Sequence, residues 1–125
     1  MAWDCACGSG QASRPLASHF NLVVGTDASP TQVAAAQAAE NIRFVVAASE
    51  RTPLANGAFD LVTIAQALHW FLGDEFFSEV RWVVLPGGVF AAWTYGMPHI
   101  DSQPVERAVH GFIDGLLGPY WPPEI

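Results

Sequence analysis

The sequence predicts an α/β fold with a doubly wound, mostly parallel sheet, on three observations. Apolar, β-branched segments alternate along the chain with segments of helical periodicity. The apolar segments are nearly continuous, as in parallel strands covered on both faces. Of the 125 residues, 51% are hydrophobic, which is enough for the core of about one domain.

Five strands are predicted from the apolar runs. Residues 3–7 belong to the end of a first strand, and residues 21–26 form the second. Residues 42–47 and 61–64 follow, and residues 89–95 form the last strand. In such a sheet a ligand binds in the crevice at the carboxyl ends of the strands.

Two helices are predicted between these strands. Ser29 is typical of an N-cap and Pro30 of the first helical position, and residues 31–40 are rich in alanine. Apolar residues recur at helical spacing within residues 75–84. Pro86-Gly87-Gly88 is expected to end that helix and lead into the last strand.

Charge and cysteine content exclude several classes of partner. Five Lys and Arg against 12 Asp and Glu give a net charge of −7, which repels phosphate backbones and anionic lipids. We therefore expect neither nucleic acid nor a membrane as a partner. Cys5 and Cys7 are too close for an ordinary disulfide, and without a second pair they predict no zinc site. Free thiols favour a reducing compartment, so we expect a cytoplasmic protein.

A glycine-rich loop follows the first strand. Ala6, Gly8 and Gly10 allow the backbone to turn sharply and to approach a ligand closely. Ser13 stands where the dinucleotide-binding pattern has a third glycine. Asp4 precedes the loop, and its carboxylate would repel a pyrophosphate but suit a cationic amino-acid group. A tight turn without a ligand is the alternative.

Asp27 ends the second strand. An acid at this point can accept hydrogen bonds from both hydroxyls of a ribose. Alternatively, it stabilises the N-terminus of the next helix through the helix dipole. The glycine-rich loop upstream favours the ribose interpretation.

Four short motifs follow one another along the chain. They are Asp4-x-Ala6-x-Gly8-x-Gly10, Val24-Gly25-Thr26-Asp27-Ala28-Ser29, Phe59-Asp60-Leu61-Val62 and Leu85-Pro86-Gly87-Gly88. Together they resemble the motifs of class I S-adenosylmethionine-dependent methyltransferases. The stretch Ala65-Gln66-Ala67-Leu68-His69-Trp70-Phe71 resembles the trans-aconitate methyltransferase-like subgroup, with its methyltransferase type 11 domain. The resemblance extends from Trp3 to Trp121.

The resemblance implies S-adenosylmethionine as cofactor and a Rossmann-like core over residues 1–98. Residues 99–125 would form part of a C-terminal substrate or lid segment. The implied cofactor-binding residues are Asp4, Ala6, Gly8 and Gly10 at the methionine end, Asp27 at the ribose, Ala28 and Ser49 at the adenine, and Gln66 at the methionine portion where the site opens toward the substrate.

Three departures from the family pattern stand out. Ala6 replaces the commoner glycine, and Ala48 stands where many relatives have an acid for the adenine amine. We also expect the chain to lack the family's N-terminal helices and its last two strands, so that the fold is incomplete at both ends.

His69 and Trp70 are candidate substrate residues. In one interpretation they form the floor of the substrate pocket, and His69 binds a substrate carboxylate or removes a proton as the catalytic residue. In the other, they pack with Phe71 beneath the cofactor, and His69 is structural. Tyr95 is a further candidate substrate residue, within an aromatic set that could border the acceptor. The other histidines lack ligand spacing, so we predict no metal.

The leading hypothesis is therefore a methyltransferase that acts on a small-molecule acceptor, with a carboxylate as one candidate. The alternative is a truncated, catalytically inactive methyltransferase-like fragment. A nicotinamide-dependent oxidoreductase is disfavoured by Asp4, by Ser13 and by the Pro-Gly-Gly turn.

Overall fold

The computed structural model describes residues 1–71, 73–96 and 99–120. They belong to two compact units, Met1–Thr94 and a second unit that begins at Tyr95. Trp121, the last residue of the resemblance, lies outside the described residues. In the part of the chain that the structure describes, no helix is both long and apolar enough to cross a membrane.

The first unit is built on one parallel sheet. Its strands are β1 (Ala2–Cys5), β2 (Val23–Asp27), β3 (Ile42–Val46), β4 (Phe59–Ala65) and β5 (Val84–Trp93). They lie in the order β3-β2-β1-β4-β5, and each pair of neighbours is parallel. The predicted doubly wound α/β fold is confirmed.

The short strand β1 lies at the centre of the sheet. Each of its four residues pairs with β2 on one side and with β4 on the other, and all four are buried. The indole Nε1 of Trp3 donates a hydrogen bond to Thr26 Oγ1 at 2.9 Å, so the largest buried side chain also has its polar atom satisfied. A central position and full burial make β1 the base of the site described below.

The helices of the first unit differ in how many of their residues are buried. They are α1 (Ser13–Leu16), α2 (Pro30–Ala35) and α3 (Asp74–Val83), with a 3₁₀ turn at Leu68–Trp70. As predicted, Ser29 caps α2: its Oγ accepts the N–H of Gln32 at 3.3 Å. The predicted end at residue 40 is wrong. Because α2 buries no residue, alanine propensity alone does not extend it beyond Ala35.

The segment Pro86-Gly87-Gly88 lies inside β5, whereas the sequence placed it before the strand. The register changes from Phe59 opposite Val84 to Leu61 opposite Val89, which is a bulge that accommodates the proline and a left-handed Gly87. The strand is also less covered than predicted, since β5 lies at the edge of the sheet and Val89 is about half exposed.

The second unit is helical. It contains α4 (Gln103–His110), a π-helical segment (Gly111–Leu117) and a 3₁₀ turn (Gly118–Tyr120). His99 Nδ1 lies 3.2 Å from Glu106 Oε1, a contact that joins the residues before α4 to its first turn.

Candidate cofactor site

The strand order reverses direction between β1 and β4, because β2 and β3 extend the sheet on one side of β1 and β4 and β5 on the other. In parallel sheets ligands bind outside the carboxyl ends of the strands at such a reversal. Three segments meet this description: the loop after β1, Asp27 at the end of β2, and the turn after β4.

The carboxylate of Asp27 fastens the glycine-rich loop to the end of β2. Its Oδ2 accepts the backbone N–H of Gly8 at 2.9 Å, and its Oδ1 accepts the N–H of Ser29 at 2.8 Å. The second contact joins Asp27 to the residue that caps α2, which agrees with the alternative interpretation in which Asp27 stabilises the start of that helix. A carboxylate has about four lone-pair sites, so this partly exposed group can accept two further hydrogen bonds.

The loop itself depends on left-handed backbone. Gly8 has a φ of 55° and Gly10 a φ of 89°, values that favour glycine. A Cβ atom on Gly10 would also lie 2.6 Å from Cζ of Phe44. Glycine at position 10 is therefore required by a packed aromatic ring as well as by backbone conformation. Sequence reasoning missed Phe44, since no local spacing connects it with the loop.

Two further residues adopt left-handed backbone without being glycine. Ala6 has a φ of 50° and Gln66 a φ of 57°, and they follow the neighbouring strands β1 and β4. Such conformations cost about 1 kcal/mol and are concentrated at functional sites. The N–H of Gln66 donates to the carbonyl of Trp93 at 2.9 Å, and its Oε1 accepts from Thr94 Oγ1 at 3.0 Å.

Asp4 lies beneath the loop rather than on its surface. It is only 1% exposed, and its carboxylate accepts hydrogen bonds from Ser13 Oγ at 2.5 Å and from Thr63 Oγ1 at 3.3 Å. Burial raises the pKa of Asp4, and the bonds from Ser13 and Thr63 oppose that rise. The hydrogen bond between Ser13 and Asp4 joins β1 to the start of α1 across the loop. A direct contact between Asp4 and a ligand stays a prediction.

Ala28 and Ser49, the two residues predicted to lie beside the adenine, differ in burial. Ala28 is exposed, whereas Ser49 is buried near the thiol of Cys5, whose pKa it acts to lower. Burial raises the pKa of Cys5 and of Cys7 to about 12 in each case. Both thiols are free and protonated near neutral pH, which agrees with their interpretation as small packing residues rather than nucleophiles.

His69 and Trp70 form an exposed pair in the turn after β4. Their ring centroids lie 4.9 Å apart, and Trp70 is 62% exposed. Phe71 instead stacks on Phe76 at 4.7 Å, in the core. Phe71 thus lies in the core and His69 and Trp70 at the surface, and whether His69 binds substrate or is structural stays a prediction. Tyr95 belongs to the second unit. Among the described residues, no group of three or more His, Cys, Asp or Glu could hold a metal.

Comparison with known proteins identifies the family. The family model described as "Methyltransferase domain" matches residues 3–92, so the chain belongs to the methyltransferase domain family. A protein named "Putative methyltransferase" from Dictyostelium discoideum is 33% identical over 99% of this chain and 48% of its own length.

Two solved structures extend the likeness. A "Putative Type II Methyltransferase" from Anaeromyxobacter dehalogenans is 43% identical with a TM-score of 0.83, over 98% of this chain and 52% of that one. An S-adenosylmethionine dependent methyltransferase from Mesorhizobium loti is 29% identical with a TM-score of 0.66, over 73% of this chain and 44% of that one. The chain thus spans about half the length of the relatives it matches.

Proposed function

We propose that this chain binds S-adenosylmethionine at the carboxyl ends of β1, β2 and β4 and transfers its methyl group to a small-molecule acceptor. The observation that carries the proposal is Asp27. Its carboxylate holds the loop through Gly8 and keeps the capacity to accept two more hydrogen bonds, as a ribose with two hydroxyls requires.

The other residues of the site fit this group in different ways. Ala6, Gly8 and Gln66 would contact the methionine end, and Ala28 would border the adenine, because they lie at the strand ends and are not fully buried. The buried Asp4 and Ser49, together with Gly10, would support the site from within. The sulfonium supplies a methyl group with a good leaving group, so the chain's task is to align the acceptor with it.

The acceptor proposal rests on the exposed pair after β4. His69 offers a ring that can bind a carboxylate or accept a proton, and Trp70 offers an apolar surface beside it. A small carboxylate acceptor would fit both, in keeping with a trans-aconitate methyltransferase-like subgroup. Residues 99–125 would contribute a substrate or lid segment, with Tyr95 on the substrate side. The free thiols are compatible with a cytoplasmic location.

Titration calorimetry on the purified chain tests the cofactor. We expect binding of S-adenosylmethionine and of its demethylated product, S-adenosylhomocysteine, and no binding of NAD. Binding of NAD without a response to either sulfur compound would overturn the proposal.

Methyl transfer from labelled cofactor to a panel of small carboxylates tests the acceptor. Transfer to a panel member that depends on His69 and Trp70 would support the acceptor proposal. A chain that binds cofactor but methylates no member would favour the alternative, a cofactor-binding chain that does not catalyse the reaction alone.

A further inference from the structure

Phe44 lies in one row with the residues that support the loop. The register places Phe44 opposite Gly25, Gly25 opposite Asp4, and Asp4 opposite Thr63, in adjacent strands. Side chains paired in this way point to the same face of a parallel sheet. Gly25 is a gap in the row, and the ring of Phe44 occupies the space next to it.

The ring contacts a glycine on each side. A Cβ atom on Gly25 would lie 2.7 Å from Cδ1 of Phe44 and 3.0 Å from Sγ of Cys7, and one on Gly10 would lie 2.6 Å from Cζ of the ring. Separations this short are impossible without a shift of the ring or of the backbone. On its other side Phe44 packs against the cluster of Ala2, Val23 and Ile42, so it cannot move away freely.

We propose that Phe44 is a positioning residue for the cofactor loop. Its ring fills the slot between Gly25 of β2 and Gly10 of the loop, and thereby fixes the height of the loop above the sheet. The loop is then held at three points: at Gly8 by Asp27, at Gly10 by Phe44, and at Ser13 by Asp4. This inference rests on the proposed function, because it assumes that the loop receives the cofactor.

The role of Phe44 can be tested by changing the ring and one of the two glycines that it contacts. Gly25→Ala adds a Cβ that pushes the ring toward Gly10, and the dissociation constant of S-adenosylhomocysteine is expected to rise roughly tenfold, since small displacements of positioning groups are costly. Phe44→Val shortens the side chain but keeps a residue suited to a strand, and is expected to raise the constant roughly threefold. In the double variant the added Cβ no longer meets the ring and keeps only the tight 3.0 Å contact with Sγ of Cys7, so binding should return toward the level of Phe44→Val.

The matched control is Val45→Ala, on the opposite face of the same strand. Val45 packs against the other core cluster, away from the row that contains Phe44 and Gly25. This variant should lose thermal stability and keep the parent's dissociation constant. Calorimetry is performed well below the melting temperature of each variant, and Phe44→Leu replaces Phe44→Val if the latter does not fold.

Hydrogen exchange without ligand tests the role of Phe44 separately from the proposed binding of the cofactor. The N–H of Gly8 donates to Asp27 and that of Gly10 to the carbonyl of Cys7, so both amides report the loop directly. Phe44→Val should speed their exchange more than Val45→Ala does, even if the parent binds no cofactor. Equal exchange in the two variants, or a double variant that binds no better than Gly25→Ala, would overturn the role of Phe44.

Discussion

Two regions of the molecule differ in how many hydrogen bonds their polar side chains already form within the protein. At the ends of β1 and β2, Asp4 and Asp27 each accept two hydrogen bonds from other residues, and Phe44 fills the space below the loop. In the turn after β4, His69 and Trp70 are exposed and contact each other.

This difference shows which part of the candidate site is held in place by the protein itself. A site held by hydrogen bonds within the protein is preorganised, so little free energy is lost in ordering it when a ligand binds. Exposed side chains must be ordered by the ligand or by other groups. The proposed cofactor side is therefore the fixed part of the candidate site, and the proposed acceptor side is the adaptable part.

The largest expected effect is that of Asp27→Ala on cofactor binding. The variant removes the acceptor of the Gly8 and Ser29 amides together with the proposed ribose contact. We expect a loss of roughly 1.5–3 kcal/mol in the binding of S-adenosylhomocysteine, the range for hydrogen bonds to a charged group. Calorimetry measures it. An unchanged affinity would mean that Asp27 only starts the helix.

Ser13→Ala tests the buried support of the loop. Without the hydroxyl, the buried carboxylate of Asp4 loses a donor, and the free energy of unfolding should fall by about 1–2 kcal/mol. Urea denaturation provides the measurement. Ser18→Ala is the control, because its exposed hydroxyl donates only to the carbonyl of Pro15, and the change should stay within about 0.5 kcal/mol. Equal losses in both variants would contradict the role of Ser13 in supporting the loop.

Asp4 also predicts a pH dependence. Its pKa is raised by burial above the ordinary value of 3.8, so the folded state holds the proton more tightly than the unfolded state. The corresponding stability is present below pH 3.8 and is lost as the pH rises through the raised pKa. The parent should therefore lose stability relative to Asp4→Asn as the pH rises from 3.8. Urea denaturation curves at several pH values measure this difference, and a constant difference would contradict it.

Ala6→Gly should have a smaller effect. The left-handed backbone at Ala6 costs about 1 kcal/mol that glycine avoids, while glycine adds up to about 1 kcal/mol of unfolded-state entropy. These terms nearly cancel, so the free energy of unfolding should change by less than about 0.5 kcal/mol. Ala12→Gly, at a φ of −83°, has no strain to relieve and should lose about 0.5–1 kcal/mol. Equal losses would show that Ala6 is unstrained.

The smallest effect on stability and on cofactor affinity is expected for Trp70→Ala. An exposed side chain contributes within about 0.5 kcal/mol to unfolding, but the KM for the acceptor should rise if the turn after β4 receives it. Trp82→Ala, an exposed tryptophan on α3, is the control and should leave the KM unchanged. A fall in cofactor affinity for Trp70→Ala would remove the distinction between the two sides of the site.

Much of the fold was predictable because its signals are local. The cap at Ser29, the positions of the apolar strands and the acid at the end of β2 each follow from a few neighbouring residues. The extension of helix α2 to residue 40 and the exclusion of Pro86 from β5 were wrong. Both depend on packing and pairing with distant segments, which no local pattern reports.

By itself, the sequence determined the alternation of strands and helices, the motifs of the methyltransferase family and the candidate residues at the strand ends. Only the tertiary structure decided that Asp4 acts on Ser13 beneath the loop, that Phe44 occupies the gap at Gly25, and that His69 and Trp70 remain exposed. The physical reason is register. Periodicity assigns each strand its faces, but which side chains become neighbours across the sheet depends on how separate strands align.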